Sequence, residues 1–179
     1  GALAALDLAG VPAADDLTAE KAKPLIAEAA GMPSEELKRL AENPVIDGFK
    51  PSRGHTLTWF VLTFAPDPKA EKAPTSLRFL EEFPNPARIA NAIAGPRDRD
   101  GKFRKTATLI HPEYITDCTC KVSGDTATGV ATFKAEKAYE GRVEYTARKK
   151  DDVWRVEEFR LPDLKTTLAL GADDKWVKK

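Results

Sequence analysis

Hydrophobic and polar positions are arranged differently in the two halves of this chain. Before residue 106 there is no sustained period of two, and proline and alanine punctuate short helix-like runs. Residues 1–16 show no clear period. DLTAEKAKPLIAEAAG predicts a helix from about Leu17 to Ala30 with Gly31 as its stop, bent or divided at Pro24, which removes a backbone donor. SEELKRLAEN predicts a second helix, with Ser34 as cap, Glu35 and Glu36 at the positive end of the helix dipole, and Pro44 enforcing the end. HTLTWFVLTF (55–64) is dense in β-branched and aromatic residues and reads as a mostly buried strand. Residues 65–75 read as a polar, proline-punctuated loop, and SLRFLEEF (76–83) as a short helix capped by Ser76 and closed by Pro84. NPARIANAIAG (85–95) carries a strong helix signature: Asn85 as cap, Pro86 at the first helical position and Gly95 just past the end. PRDRDGKFRK (96–105) reads as a charged, mobile connection.

From Thr106 the period becomes two. In YITDCTCKV (114–122) one face carries Tyr114, Thr116, Cys118, Cys120 and Val122, and Ser123-Gly124 reads as a hairpin turn. In the next strand Ala127, Gly129, Ala131, Phe133 and Ala135 share a side. The following one alternates Tyr139, Gly141, Val143, Tyr145 and Ala147 against Glu140, Arg142, Glu144, Thr146 and Arg148. After a turn around Lys150-Asp151, Trp154 and Val156 share a face, but Phe159 and Leu161 are out of phase with them. One extra residue at Glu157-Glu158, a β-bulge, brings all four inward. TTLAL and KWVKK predict a small closing hairpin. Helices first and an antiparallel meander after is α+β organisation. The division expected is a helical lead-in rich in alanine and proline over 1–44 and a single α+β domain over 45–179.

Composition narrows the function. The 179 residues are 42% hydrophobic and 31% charged, which is globular rather than disordered. Lys plus Arg (28) equals Asp plus Glu (28), so the basic excess of a nucleic-acid binder is missing and no nucleic-acid partner is expected. No apolar run approaches the ~20 residues that cross a bilayer. The chain starts at Gly1 and its single methionine is Met32. The expectation drawn is a removed leader and an extracytoplasmic protein, secreted or envelope-anchored, with a cytoplasmic one as the alternative.

The order of helices, then long strands ending in EGRVEYTARKKDDVWRVEEFRLPD, resembles the NTF2-like (SnoaL-like) superfamily over roughly residues 106–164. The resemblance implies N-terminal helices packed on a curved antiparallel sheet, forming a cone with an internal pocket. The family mixes enzymes with non-catalytic binding domains, so the site must decide function.

Several residues are candidates for that site. Cys118 and Cys120, two apart in a strand, would have Cα atoms roughly 6.6 Å apart with parallel Cβ vectors, which strains a mutual disulfide. Only His55 and His111 could add imidazole ligands, without metal-site spacing, so the cysteines are expected to be reduced, buried and part of the core, with no metal or cofactor. His111, ahead of Pro112, is expected to be exposed or locally hydrogen-bonded, with general-base work as the sharper reading. Tyr114, Tyr139, Tyr145 and Trp154 share the inward face, as ordinary core or as the lining of a binding pocket. Asp117 falls on the opposite face, and no inward acid is evident, so no catalytic residue is assigned. The expected function is binding, of a small apolar ligand or a protein partner, a second copy of the chain included. The alternative is an isomerase- or dehydratase-type pocket enzyme moving a proton on the same fold.

Overall fold

The computed structural model describes residues 16–35, 37, 57–58, 77–80, 86–102 and 104–179. Helix α1 spans Ala19–Ala30. Its first turn is closed by the Thr18 hydroxyl, which accepts from the Lys21 amide at 3.2 Å, and Gly31 ends it in extended backbone. Pro24 lies inside without dividing it: the helix continues for six residues beyond, held by burial of Ala22, Ile26, Ala27 and Ala30 against the sheet. Tertiary burial outweighs the single lost hydrogen bond.

Ser34 departs from the expected capping role. Ser34 and Glu35 are already helical, and the Ser34 hydroxyl donates to the Arg104 carbonyl. The remainder of that predicted helix lies outside the described residues. So do most of 55–64 and the 65–75 loop. Where 55–64 is described, it is not a strand: Leu57 and Thr58 are helical and fully buried. The Thr58 hydroxyl donates to the Ala30 carbonyl (2.5 Å) and accepts from the Leu109 amide (2.9 Å), tying the end of α1 to the segment before the sheet.

Strand β1 (Met32–Pro33) pairs with β3 (Thr106–Ala107) in a two-stranded ladder. Between them Leu77–Phe79 form a strand, β2, where a helix over 76–83 is expected; Ser76 and residues 81–83 lie outside the described residues. Leu77 and Phe79 are buried while Arg78 reaches Glu140 at 2.9 Å, a period-two pattern that three residues are too few to distinguish from a helix in sequence. Helix α2 spans Pro86–Ala94, as its proline start and glycine stop predict; Asn85 is outside the described residues. The charged connection after it is a hydrogen-bonded turn, in which the Asp98 carboxylate accepts from the amides of Asp100 (3.0 Å) and Lys102 (2.8 Å).

Among the described residues the rest form one open antiparallel sheet of eight strands: β2, β4 (Ile115–Cys118), β5 (Lys121–Ser123), β6 (Thr126–Ala135), β7 (Tyr139–Lys150), β8 (Val153–Leu161), β9 (Thr166–Leu170) and β10 (Trp176–Lys178). The spatial order is β10-β9-β8-β7-β6-β4; β5 extends the β4 edge, and β2 pairs with β7 beside the end of β8. In β6 and β7 the inward residues are those the alternation selects. Phe133, Tyr139, Val143, Tyr145 and Ala147 are buried, and outward Glu140 and Glu144 pair with Arg78 and Arg160 at 2.9 and 3.0 Å. The β8 bulge is also present. Thr146 opposes Glu158 and Ala147 opposes Val156, so Glu157 is the extra residue, and Val156, Phe159 and Leu161 are all buried.

The edge strand is less regular than expected. Pro112–Tyr114 form a 3-10 turn, and Thr116 is a bulge residue that lets Ile115 oppose Phe133 and turn inward. From Asp117 on, β4 and β5 share one register against β6, interrupted at Thr119-Cys120. The cause is Gly129 on β6. A Cβ there would lie 1.9 Å from the Thr119 carbonyl oxygen, and that oxygen accepts from the Tyr145 hydroxyl at 2.6 Å. The missing side chain therefore lets one edge carbonyl turn inward to bond a tyrosine of the next strand but one. The hairpin turn is Gly124-Asp125, one residue later than expected, because Ser123 still pairs with Thr126.

Candidate functional site

The residues singled out in the sequence are distributed over two clefts and the core between them. The larger cleft, about 660 Å³, lies between α2 and the β6–β7 hairpin turn. Arg88, Asn91, Ala92 and Gly95 follow the i, i+3, i+4, i+7 spacing of one helical face, so α2 presents a single stripe to it. The turn contributes Ala135, Glu136, Lys137 and Ala138 opposite, and Tyr114 closes one side. The floor is therefore alanine and the rim carries two cations, one carboxylate and an amide.

Tyr114 is half-buried. Its hydroxyl donates to the Ala92 carbonyl at 2.7 Å. Burial, then the negative charges of Glu136 and Glu113, push its ionisation up to about 12, so it stays a neutral donor in the physiological range. Behind Tyr114 sits His111, meeting it edge to face at 5.2 Å. Expected to be exposed or locally hydrogen-bonded, His111 is instead buried and bonded to Ile93, 18 residues earlier, because the last turn of α2 closes over it. A Cβ on Gly95 would lie 2.2 Å from its Nε2, and Gly95 itself sits at φ +79°. Gly95 is required both for its left-handed backbone and for this approach. Nε2 donates to the Ile93 carbonyl at 2.8 Å, since a carbonyl only accepts. Burial lowers the imidazole pKa below its ordinary value, partly offset by that hydrogen bond. His111 thus pins the end of α2 and does not line the cleft.

Tyr139 and Tyr145 are fully buried, and each hydroxyl is committed to a backbone carbonyl: Tyr139 to Leu109 and Tyr145 to Thr119, both at 2.6 Å. Tyr139 is the residue after Ala138 of the first cleft and does not itself line it. Trp154 lines a different cleft, about 400 Å³, where the outer side of α1 (Leu25, Glu28, Ala29) meets the ends of β8, β9 and β10. Tyr114 and Trp154 are therefore not brought together. Sequence reasoning missed Trp176 in that second cleft, although the closing hairpin that holds it was expected, and missed the α2 stripe of Arg88 and Asn91, whose helical spacing was legible.

The cysteines are free and half-buried rather than buried, because they lie along the β4–β5 edge, which among the described residues pairs with β6 alone. Burial raises the Cys118 thiol pKa, which makes it a poor nucleophile at neutral pH. Among the described residues no group of three His, Cys, Asp or Glu is placed to hold a metal ion, and no helix is long and apolar enough to cross a membrane. Glu158 lies on the outer face, paired with Arg160 at 2.7 Å. No family model, characterised protein or solved structure matches this chain.

Proposed function

We propose that this protein is a binding domain with an NTF2-like cone, taking a small, largely apolar ligand in the cleft between α2 and the β6–β7 turn. The observation that carries the reading is the cleft itself. Its volume falls within the ~300–1,000 Å³ usual for small-molecule sites, its floor is Ala92, Ala135 and Ala138, and its polar groups stand on the rim. Binding without turnover is supported by where the phenols and the imidazole beside the cleft are spent, Tyr114 on Ala92, Tyr139 on Leu109 and His111 on Ile93, and by the exposure to water of Glu136, the carboxylate on the rim. The cone is supported by the sequence of helices followed by a meander, with α1 and α2 contributing to one core with the sheet and the β8 bulge bending its long strands.

The test is titration with 1-anilinonaphthalene-8-sulfonate, whose apolar rings suit the floor and whose sulfonate suits Arg88 and Lys137. One saturable site is expected, and Ala92→Trp, which fills the cleft, should weaken it at least tenfold at an unchanged melting temperature. Absence of saturable binding, or binding indifferent to Ala92→Trp, refutes the assignment.

A further inference from the structure

The second cleft has a chemistry of its own. Trp154 and Trp176 both border it, and each indole is steadied from elsewhere. Trp176 stacks on Phe159 at 5.5 Å and 24°, and the Lys149 ammonium sits 5.6 Å from the centre of the Trp154 ring. Two rings held this way offer apolar contact at little entropic cost. Around them stand Glu28, Asp174 and Arg155, with Arg155 bonded to Asp174 at 3.2 Å. The lining carries two carboxylates against this one guanidinium, which also bonds Glu157 at 3.3 Å. Arg148 and Lys150 pair with Glu157, and Lys149 over Trp154 offsets the remaining carboxylate, so the surroundings favour neither a cation nor an anion strongly. A purely apolar ligand would strip water from Glu28, Asp174 and Arg155 and return no hydrogen bonds, which is costly. The occupant that suits the site is neutral, has a flat C–H face for an indole, and carries hydroxyls that both donate to carboxylates and accept from a guanidinium.

We propose that the Trp154–Trp176 cleft is a carbohydrate-binding site, accepting pyranose units of a neutral oligosaccharide with their C–H faces against the indoles and their hydroxyls on Glu28, Asp174 and Arg155. The site is separate from the α2 cleft and stands whether or not that cleft binds an apolar ligand.

Isothermal titration of the full chain with cellohexaose, chitohexaose, maltohexaose and xylohexaose tests it. At least one should bind. Trp176→Ala should weaken that binding at least tenfold. Glu28→Ala, at an exposed helix position where folding is not at stake, should weaken it about threefold to tenfold. No heat with any of the four, or binding that survives both substitutions, overturns the proposal.

Discussion

Tyr139 and Tyr145 on one side, and Trp154 and Trp176 on the other, all have inward-facing positions on the same sheet, yet they end in opposite situations. The tyrosines are sealed. Tyr145 lies mid-strand between Gly129 of β6 and Phe159 of β8, and its hydroxyl reaches an edge carbonyl through the space Gly129 leaves. Trp154 lies one residue from the start of β8, beside the Asp151-Asp152 turn, and β9 pairs with Glu158–Leu161, beyond the reach of Trp154, which stays half-buried. Trp176 sits on β10, the outermost strand, with Phe159 on one face. Parity decides which face a side chain takes. Depth is decided by how many strands flank it, and only the second property separates a core aromatic from one that can meet a ligand.

The comparison is sharpest in stability. Phe159→Ala removes a fully buried ring at the centre of the sheet and should cost about 3–5 kcal/mol. Trp154→Ala removes a larger side chain that is only half-buried, and the loss should be roughly half as great, about 2 kcal/mol, because much of its surface is already in water. Urea unfolding of both variants measures the difference. Equal losses would break the distinction between centre and end. Tyr139→Phe is a finer probe of the sealed set. It keeps the ring and deletes the hydroxyl bonded to the Leu109 carbonyl, which should cost about 1–2 kcal/mol, with the unpartnered carbonyl contributing most of it. A neutral Tyr139→Phe would mean that the hydroxyl only fills space.

The same contrast between centre and edge explains what the sequence makes legible. In β6, β7 and β8 both faces of a strand have neighbours, so alternation is enforced by burial on one side and ion pairing on the other. Even the Glu157 bulge can be inferred from a phase shift between Val156 and Phe159. At the edge the rule weakens. Thr116 bulges, Thr119-Cys120 leaves the ladder, and the cysteines stay half-exposed, because their conformation depends on Gly129 and Tyr145, which lie 9 to 29 residues further along the chain. Leu57, Thr58, Leu77 and Phe79 show a different limit. Short apolar runs carry no period long enough to choose between helix and strand, and long-range partners decide: Ala30 and Leu109 for Thr58, and Tyr139–Gly141 for β2. Of the candidate site, Tyr114 and Trp154 were readable as inward aromatics. Their assignment to separate clefts was not, since it depends on where α1 and α2 cross the sheet.

The smallest expected effect concerns His111, which belongs with the sealed groups although it lies next to an open cleft. Its imidazole is neutral in the folded protein, donating from Nε2 to Ile93, and burial holds its pKa below the ordinary value of about 6.5. The unfolded chain takes up a proton on this group as pH falls through about 6.5, while the folded protein does so only at lower pH. Between those two values the unfolded state binds more protons, so stability decreases as pH falls and increases as it rises. Carboxylates contribute a similar slope at more acid pH. Glu113, held below its ordinary range chiefly by the Arg104 guanidinium, loses its contribution only as pH falls below about 4.5, so measurements between pH 5 and 7.5 separate the two. His111→Gln keeps a donor for Ile93 and removes the titration. The stability difference between the wild-type protein and His111→Gln should therefore shift against the wild type as pH falls from 7.5 to 5. A difference that stays constant across that range would mean His111 titrates alike in the folded and unfolded chain, and that the closure of α2 over it through Gly95 does not exclude water.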